Sequence, residues 1–164
     1  CKDISRKCEI EEVLEVDAGI INFYHAKRSS DRLGGHKDDA EPDCVSPLVS
    51  ISLGLPGVFL LGGDTRQVRP KAFVLRAGDV MVLSGAARQA YHGVPVVLSK
   101  FEKQDCGAHD NKEFVEACSK LNTTPCPQYD CTAFDESIEA SADEDELIRG
   151  FLKKTRINLS MRRV

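Results

Sequence analysis

From Gly19 onward, hydrophobic positions along the chain fall into short runs that Gly and Pro separate. β-Branched and aromatic residues dominate these runs, and runs of this length and composition are typical of strands rather than helices. The predicted strands are Ile20 to Tyr24, Val49 to Leu53, Val58 to Leu61, Ala72 to Leu75, Val80 to Leu83 and Val94 to Leu98. Many short strands at this spacing predict a mainly β fold, an antiparallel sandwich or barrel such as a double-sheet jelly roll.

Residues 100 to 143 break this rhythm, because Asp, Glu, Asn, Thr, Ser and Pro replace the β-branched runs. We interpret the segment as a long polar, acidic insert within the domain. One helix is expected inside it, from Asn111 to Leu121, since its apolar residues recur at helical spacing. Those residues are Phe114, Val115, Cys118 and Leu121.

Two further helical segments flank the β-rich part of the chain. Cys8 to Val16, with apolar residues at helical spacing, is expected to end a helix. Ser141 opens a capping box with Glu144, which predicts a helix that continues through Lys154. The stripe expected to be buried on that helix consists of Leu147, Ile148, Phe151 and Leu152.

Composition supports one folded domain. The 164 residues are 41% hydrophobic and 29% charged, which is sufficient for a single domain, 1–164, with a core. No apolar run approaches the length that crosses a bilayer, and the opening Cys1-Lys2-Asp3 has neither a signal-peptide core nor an initiator Met. We therefore expect a fragment with no membrane span.

The seven cysteines are odd in number and irregularly spaced. Without a secretory signal, this usage predicts reduced thiols in an intracellular compartment, whether nucleus, cytoplasm or mitochondrion. A zinc site in the insert is an alternative, and its ligands would be Cys106, His109, Cys126 and Cys131. Their spacing does not match the usual short-knuckle pattern, so unpaired thiols are the favoured interpretation.

Charge is distributed unevenly around a net charge of -4. Residues 101 to 150 hold 13 acidic and 4 basic groups, whereas residues 151 to 164 hold 5 basic and none acidic. A nucleic-acid binder usually shows a basic footprint, so the acidic total alone disfavours that role. Basic residues can still line one opening of the fold, where nucleic acid would bind, or they can serve only to keep the protein soluble. The candidate basic residues are Lys27, Arg28, Arg32, Lys37, Arg66 and Arg69.

His36 and Asp38 form the first candidate chemical motif. In an extended strand they would point to the same face while Lys37 points away. With His92 they supply two imidazoles and one carboxylate, the facial set that holds ferrous iron and leaves positions open for oxygen and a co-substrate. A closed structural zinc site would leave none. Taken singly, each residue has an ordinary interpretation as a surface or turn residue.

The C-terminus carries the second motif. Period-two alternation puts Arg156, Asn158, Ser160 and Arg162 on one face, and Ile157, Leu159 and Met161 on the other. Each guanidinium can meet a carboxylate through two parallel hydrogen bonds, so two of them suit a dicarboxylate such as 2-oxoglutarate. Taken alone, the basic residues would indicate only a solvated tail.

Together these motifs resemble the AlkB family of Fe(II)/2-oxoglutarate-dependent dioxygenases. The matching segments, in order, are Ile21 to Tyr24, the His36 and Asp38 pair, Ser50 to Gly54, Phe59 to Gly63, Gly78 to Val80 and Tyr91 to Gly93. The final Arg-x-Asn-x-Ser-x-Arg is the most specific signature, and the resemblance covers residues 16 to 99 and 146 to 164. The sequence Phe-Leu-Leu-Gly-Gly and the polar insert most resemble those of proteins in the branch of the first mammalian AlkB homologue.

The resemblance implies a double-stranded β-helix, the cupin-like jelly roll. It also implies that His36, Asp38 and His92 bind Fe(II), which activates O2 at the expense of 2-oxoglutarate. Arg156 and Arg162 would carry the ends of 2-oxoglutarate, and the co-substrate face would include Asn22, Tyr24, Asn158 and Ser160. In the family a methyl group on a base is oxidised and leaves as formaldehyde. Arg66 matches a family position that reaches toward the nucleic acid.

Two departures bear on the substrate. Ala40 stands where the founding bacterial enzyme has an acidic residue that helps to read the base, and the family's N-terminal base-gripping lid precedes the core and is expected to be absent here. The branch suggests transfer RNA carrying 1-methyladenine or 5-methylcytosine, or DNA N6-methyladenine, and we favour RNA. The alternatives are an oxygenase of proteins or small metabolites, for which Arg66 would not matter, and a binding module with an idle site.

Overall fold

Two sheets of short strands form the body of the protein. The computed structural model describes residues 15–28, 30–99, 112–125 and 142–164, with backbone alone for 124–125 and 142–145. The strands are β1 (Ala18–His25), β2 (Leu33–His36), β3 (Leu48–Gly54), β4 (Gly57–Leu61), β5 (Lys71–Leu75), β6 (Val80–Leu83), β7 (His92–Val97), β8 (Thr124–Pro125) and β9 (Thr155–Arg162). The helices are α1 (Lys112–Lys120) and α2 (Ala142–Leu152), with a short 3-10 helix at Gly85–Gln89. All six predicted strands are present, and each end lies within two residues of its predicted position.

Strand order explains why the C-terminal motif is central. The first sheet runs β1-β9-β3-β6 and the second runs β2-β7-β4-β5-β8. All pairs are antiparallel except β5 with β8. The last strand therefore lies between two earlier ones, and Asn158 pairs with Asn22 on one side and with Ser52 on the other. Polar residues from three strands meet on one face of this sheet.

The apolar core lies in two clusters. One packs between the sheets and contains Tyr24, Leu48, Phe59, Leu75, Leu83 and Val94. The other lies between the second sheet and α1 and contains Val58, Ala72, Val74, Leu98, Phe114, Ala117 and Cys118. Along β4 the alternation of a strand sends Val58 toward α1 and Phe59 toward the first sheet. The second sheet is thus covered on both faces around β4.

The predicted helix at Asn111 to Leu121 is confirmed as α1, which buries Phe114 and Cys118 while Val115 is 40% exposed. Both cysteines in the described part of the chain, Cys44 and Cys118, are free thiols. The zinc hypothesis and the capping residue Ser141 concern positions outside the described residues. Of the helix end expected at Cys8 to Val16, only Glu15 and Val16 are described, and neither is helical. No helix in the described ranges is long and apolar enough to span a membrane.

The prediction for the last helix was wrong in two respects. α2 ends at Leu152 rather than Lys154, and its expected buried stripe is largely exposed, with Leu147 at 82%, Ile148 at 56% and Phe151 at 43%. Phe151 contacts Phe23 of β1 edge to face, with ring centroids 6.3 Å apart. Helical periodicity shows which residues share a face, but it does not show whether another element covers that face.

Candidate metal and co-substrate site

His36, Asp38 and His92 converge where β2 ends and β7 begins. His36 closes β2 and pairs in register with His92, the first residue of β7. Asp38 lies beyond the end of β2, so the expectation that both motif residues share one strand was wrong. Its backbone carbonyl instead accepts a hydrogen bond from Arg88 Nη1 at 3.1 Å. This contact holds the irregular segment in place while the Asp38 carboxylate turns toward both imidazoles.

Three ligand atoms face one another in this cluster. Asp38 Oδ1 lies 3.4 Å from His36 Nε2, and Asp38 Oδ2 lies 3.6 Å from His92 Nε2. The potential ligand atoms of the three residues all lie within 4.8 Å of one another, and the imidazole centroids are 4.5 Å apart. Two nitrogens and one oxygen that enclose a common point match the facial set that binds ferrous iron.

Backbone carbonyls orient both imidazoles. His36 Nδ1 lies 3.0 Å from the carbonyl oxygen of Gly34, and His92 Nδ1 lies 3.0 Å from that of Ala90. A carbonyl oxygen only accepts hydrogen bonds, so each Nδ1 carries a proton. When His36 is protonated its Nε2 can also donate to Asp38, and when either ring is neutral its Nε2 has the lone pair that a metal ion takes. Such outer contacts fix the ring orientation of histidines that bind metals. The cluster is therefore preorganised for a metal ion.

The electrostatics of the cluster favour a charged carboxylate and one readily deprotonated imidazole. Burial opposes ionisation of Asp38, but the hydrogen bond with His36 and the charges of Arg162 and His92 outweigh it and lower the pKa to about 2. The hydrogen bond with Asp38 raises the pKa of His36, whereas burial lowers the pKa of His92. The two histidines therefore exchange protons in different pH ranges.

Arg162 joins this cluster to the co-substrate face. Its Nη1 lies 3.3 Å from Asp38 Oδ2 and also contacts Glu41 Oε1, and its Nη2 donates to Ser160 Oγ at 2.9 Å. Its Nε is buried and has no hydrogen-bond partner among the described residues. A buried donor without a partner is costly, and the carboxylate of a bound small molecule would satisfy this one.

Arg88 is a buried residue beside the site that sequence reasoning did not identify. Its side chain is 1% exposed and donates to the carbonyls of Asp38, Asp43 and Ser46 and to the carboxylate of Glu41. Glu41 consequently bridges Arg88 and Arg162. A lone arginine in the short Gly85–Gln89 helix carries no sequence signal of this role, because the contacted carbonyls lie more than forty residues earlier.

Arg156 occupies a different environment at the other end of β9. Its guanidinium donates to Leu75 O at 3.0 Å and to Ser52 Oγ at 2.9 Å. No carboxylate in the described part of the chain forms a salt bridge with it, and its buried Nε has no partner there. Burial lowers the pKa of Arg156 to about 10, although Tyr24 and Asp79 oppose the shift. The side chain is thus a buried cation balanced by neutral oxygens.

A cavity of about 200 Å³ separates the metal cluster from the first sheet. Its polar lining consists of Asn22, His36, Asp38, Ser50, His92, Asn158, Ser160 and Arg162. The structure thus brings together most of the predicted site residues. Arg156 and Tyr24 do not line the cavity. Tyr24 is buried, and its burial raises the pKa of the phenol while Arg156 opposes that rise.

Ser50 and Ser52 are further site residues that the sequence analysis did not assign. Ser50 Oγ accepts a hydrogen bond from Asn158 Nδ2, and Ser52 Oγ accepts one from Arg156 Nη2. Both serines are buried on β3. The available signal was a polar residue at every second position of an otherwise apolar strand, which places two hydroxyls on the face of Asn158.

The predicted basic residues separate into two groups. Arg66 donates to Gly35 O at 3.1 Å and lies over the Tyr91 ring, 5.2 Å from its centroid, and Lys37 Nζ lies 5.1 Å from the same centroid. Arg32, Arg66 and Tyr91 all line one cleft with a volume of about 400 Å³. Arg69 instead donates to the carbonyl of Asn122, away from this group. Lys27 and Arg28 are exposed after β1.

Comparisons with known proteins agree with this geometry. The sequence model of the family described as 2OG-Fe(II) oxygenase superfamily matches residues 1–162. The chain is 31% identical over 153 residues to the Arabidopsis thaliana DNA N(6)-methyladenine demethylase ALKBH1A, covering 93% of this chain and 36% of that protein. It is 32% identical over 164 residues to the Homo sapiens nucleic acid dioxygenase ALKBH1, covering 99% of this chain and 38% of that protein.

A solved structure shows the same fold. The structure titled "The structure of OsALKBH1" superposes with a TM-score of 0.52 at 20% identity, covering 99% of this chain and 57% of that one. The resemblance to AlkB proteins, and to the branch of the first mammalian homologue, is confirmed by these matches. The chain spans between a third and two fifths of the length of the two curated relatives.

Proposed function

The chain belongs to the 2OG-Fe(II) oxygenase superfamily, and from this membership we propose that it is an Fe(II)- and 2-oxoglutarate-dependent oxidative demethylase of methylated bases in nucleic acid. The observation that carries the proposal is the convergence of His36, Asp38 and His92 beside Arg162, whose Nε is buried and unpartnered among the described residues. In this proposal the two sheets are the halves of a double-stranded β-helix with the site between them, and the fold shared with the OsALKBH1 structure supports it.

The residues present fit a ferrous ion. His36 and His92 would each supply Nε2, and Asp38, ionised because its pKa is about 2, would supply the carboxylate oxygen. When iron, 2-oxoglutarate and O2 are bound, they supply the oxygen atom that enters an N-methyl C–H bond, after which the hydroxylated group leaves as formaldehyde. Phe59 packs against His92, with ring centroids 5.9 Å apart, and shields the cluster from water on that side.

The residues on β9 fit a dicarboxylate. Arg162 would bind one carboxylate of 2-oxoglutarate through its unpartnered Nε. The family resemblance assigns the other carboxylate to Arg156, which does not line the cavity but is a buried cation without an acidic partner in the described structure. Asn158 and Ser160 lie between the two arginines along the strand, and Asn22 faces them from β1. Their amides and hydroxyls would hydrogen-bond to the same molecule, and Tyr24 would orient Arg156.

The substrate class follows from the relatives and from access. Two relatives are named for DNA N(6)-methyladenine and for nucleic acid. Because a base must leave its stack to reach a buried metal site, single-stranded or looped nucleic acid is the least costly substrate. We propose transfer RNA loops carrying 1-methyladenine as the preferred substrate, with 5-methylcytosine and DNA N6-methyladenine as the other candidates. Arg66, an exposed cation beside the site, would contact the strand.

Formaldehyde release tests this proposal. The purified chain is incubated with Fe(II), 2-oxoglutarate, ascorbate and a single-stranded RNA or DNA that carries one methylated base, and formaldehyde and succinate are both measured. We expect stoichiometric formaldehyde from the preferred oligonucleotide and none with Asp38→Ala. Arg66→Ala should raise KM for the oligonucleotide, whereas Arg69→Ala, from the same loop, should not. 5-Methylcytosine, whose methyl group is on carbon, would be hydroxylated without releasing formaldehyde, so base oxidation is also followed by mass spectrometry. Succinate with neither formaldehyde nor an oxidised base from any methylated oligonucleotide would instead indicate an oxygenase of proteins or small molecules.

A further inference from the structure

Four charged side chains form one network beside the metal cluster. They are two arginines and two carboxylates whose side chains are at most 17% exposed, namely Arg88, Arg162, Asp38 and Glu41. Glu41 joins the two arginines, because its Oε2 accepts a hydrogen bond from Arg88 Nη2 at 2.9 Å and its Oε1 accepts one from Arg162 Nη1. Asp38 and Arg162 line the site cavity, whereas Glu41 and Arg88 do not. Glu41 and Arg88 therefore lie one layer behind the cavity wall.

Arg88 holds Glu41 in one place. Besides the Glu41 carboxylate, its guanidinium donates to the backbone carbonyls of Asp38, Asp43 and Ser46, at 3.0 to 3.1 Å. A planar guanidinium with five N–H groups fixes several acceptors in one geometry, which the ammonium of Lys cannot do. The backbone on both sides of Glu41 and its carboxylate are thus bound to the same group.

Glu41 in turn helps to fix the orientation of Arg162. Nη1 of Arg162 contacts Glu41 and lies 3.3 Å from Asp38 Oδ2, and Nη2 donates to Ser160 Oγ at 2.9 Å. These contacts leave Nε, which is buried and has no hydrogen-bond partner among the described residues. Because the guanidinium is planar, the partners of its two Nη atoms set the direction of the Nε–H group. That group is the donor that would meet a carboxylate of the co-substrate.

A second carboxylate is needed because Asp38 has a competing task. Asp38 Oδ2 lies 3.3 Å from Arg162 Nη1 and 3.6 Å from His92 Nε2. A cation bound by Asp38 and the histidines would be the largest charge near this carboxylate and would weaken its attraction for Arg162. Glu41 is outside the candidate metal cluster, so its carboxylate stays available to Arg162. Arg162 therefore has a counter-ion whether or not the metal is bound.

We propose that Glu41, held by Arg88, is a positioning residue that keeps the Arg162 guanidinium oriented toward the co-substrate carboxylate. The proposal rests on the proposed function and deepens it, because it makes co-substrate affinity depend on an ion pair behind the cavity wall. Since Glu41 does not line the cavity, its effect on 2-oxoglutarate passes through Arg162.

The test is a double-mutant cycle that measures binding rather than turnover. Calorimetry gives the affinity of the Mn(II)-saturated full chain for 2-oxoglutarate in wild type, Glu41→Gln, Arg162→Ala and the double variant, without nucleic acid. Gln has the shape of Glu but one acceptor oxygen, so it cannot accept from both arginines as Glu41 does. Glu15→Gln is the matched control, because Glu15 lies 3.3 Å from Arg163 in an exposed ion pair next to Arg162 in sequence.

If Glu41 acts through Arg162, Glu41→Gln weakens 2-oxoglutarate binding about ten-fold when Arg162 is present, a loss typical of an outer contact. In the Arg162→Ala background the same change should weaken binding by less than about two-fold, and Glu15→Gln should bind as wild type. Equal losses in both backgrounds, or no loss in either, would overturn the positioning role and leave the proposed function intact. A wild-type chain that binds no 2-oxoglutarate with Mn(II) present would contradict the proposed function itself.

Nuclear magnetic resonance of arginine side chains supplies an independent test on the unmodified chain. The metal-free protein is labelled with isotopic arginine, and the Arg162 signals are identified by their loss in Arg162→Ala. Separate Nη1 and Nη2 signals before any ligand is added would show a guanidinium that does not rotate, as the proposal expects. A freely rotating Arg162 guanidinium would contradict the proposal, and this result does not depend on how Glu41→Gln folds.

Discussion

The two ends of β9 each place an arginine on the same buried strand face, yet the two cations are balanced differently. Arg162 contacts the carboxylates of Asp38 and Glu41. Arg156 contacts a serine hydroxyl and backbone carbonyls, without an acidic partner among the described residues. Both residues are at most 5% exposed, so solvent does not account for the difference.

This difference assigns distinct tasks to two residues of one motif. A buried cation without a counter-ion is costly, and the lowered pKa of Arg156 expresses that cost. An anionic ligand at that end would restore the balance, so Arg156 is expected to contribute mainly to co-substrate affinity. Arg162 already has its counter-ions, one of which is a candidate metal ligand, so it is expected to order the metal cluster as well as bind the co-substrate.

Removing Arg156 should produce the largest effect. For Arg156→Ala we expect affinity for 2-oxoglutarate to fall by about 30-fold to several thousand-fold, because truncating one partner of a buried charge pair costs about 2–5 kcal/mol. Affinity for the metal, measured separately with Fe(II) or Mn(II), should change little. Isothermal titration of the metal-free chain with metal, and of the metal-loaded chain with 2-oxoglutarate, measures the two affinities. Arg163→Ala, which removes a half-exposed arginine beside the same strand, is the matched control.

Removing Arg162 should affect two ligands at once. For Arg162→Ala we expect both metal and 2-oxoglutarate affinity to fall about 10- to 100-fold, the range found when an outer contact of a metal ligand is lost. The lost contacts are those to Asp38 and to Glu41. Metal titration without co-substrate separates the two losses. Unchanged metal affinity in Arg162→Ala would contradict the claim that Arg162, unlike Arg156, orders the metal cluster.

Gly57 offers a milder way to disturb Arg156 while keeping its charge. A Cβ at Gly57 would lie 2.8 Å from Arg156 Cδ and 2.9 Å from its Nε, closer than real contacts allow. Gly57→Ala should therefore displace the guanidinium and weaken 2-oxoglutarate binding about ten-fold, roughly 1.4 kcal/mol. Gly19→Ala is the control, since its nearest neighbour is 3.9 Å away. Ligand-induced thermal stabilisation compares the two variants, and equal stabilisation would contradict the placement of Arg156.

The smallest effect concerns pH. Metal binding requires neutral imidazoles, so protons compete with the ion. The pKa of His36 is raised, so its proton competes at higher pH than that of an ordinary histidine, whereas the pKa of His92 is lowered and its proton competes only in more acidic solution. Metal affinity should consequently fall about three- to ten-fold from pH 7 to pH 6, with one proton displaced per ion. Calorimetry in buffers of different ionisation enthalpy counts the protons released. Release of two protons per ion would contradict the prediction that only His36 is protonated in this pH range.

Sequence reasoning located the strands and the convergent residues because both depend on short-range patterns. Period-two alternation placed Asn158 and Arg162 on one face, and the structure shows that face buried. The same rule predicted that His36 and Asp38 would converge, and the structure brings their side chains together, although β2 ends at His36 and contacts from Arg88 set the path beyond it. Those contacts join residues far apart in sequence, so no local pattern encodes them.

Burial was harder to predict than periodicity. The stripe Leu147, Ile148 and Phe151 has the spacing of a buried helix face and is exposed in the structure, whereas Arg88 has the chemistry of a surface residue and is buried. Whether each side chain is buried depends on which element of the fold packs against it. Arg88 became buried because a carboxylate and three carbonyls accept its hydrogen bonds, which offsets the cost of removing it from water.

The most direct measurement of the site is an anaerobic titration of the purified chain with Fe(II) and 2-oxoglutarate, followed by the weak visible charge-transfer band. We expect a saturable band in wild type, no band in His36→Ala for lack of a ligand, and none in Arg156→Ala at concentrations of 2-oxoglutarate that saturate wild type. A folded wild-type chain without a band would contradict the assignment of the site. A band in Arg156→Ala that saturates as in wild type would contradict the role given to the buried cation.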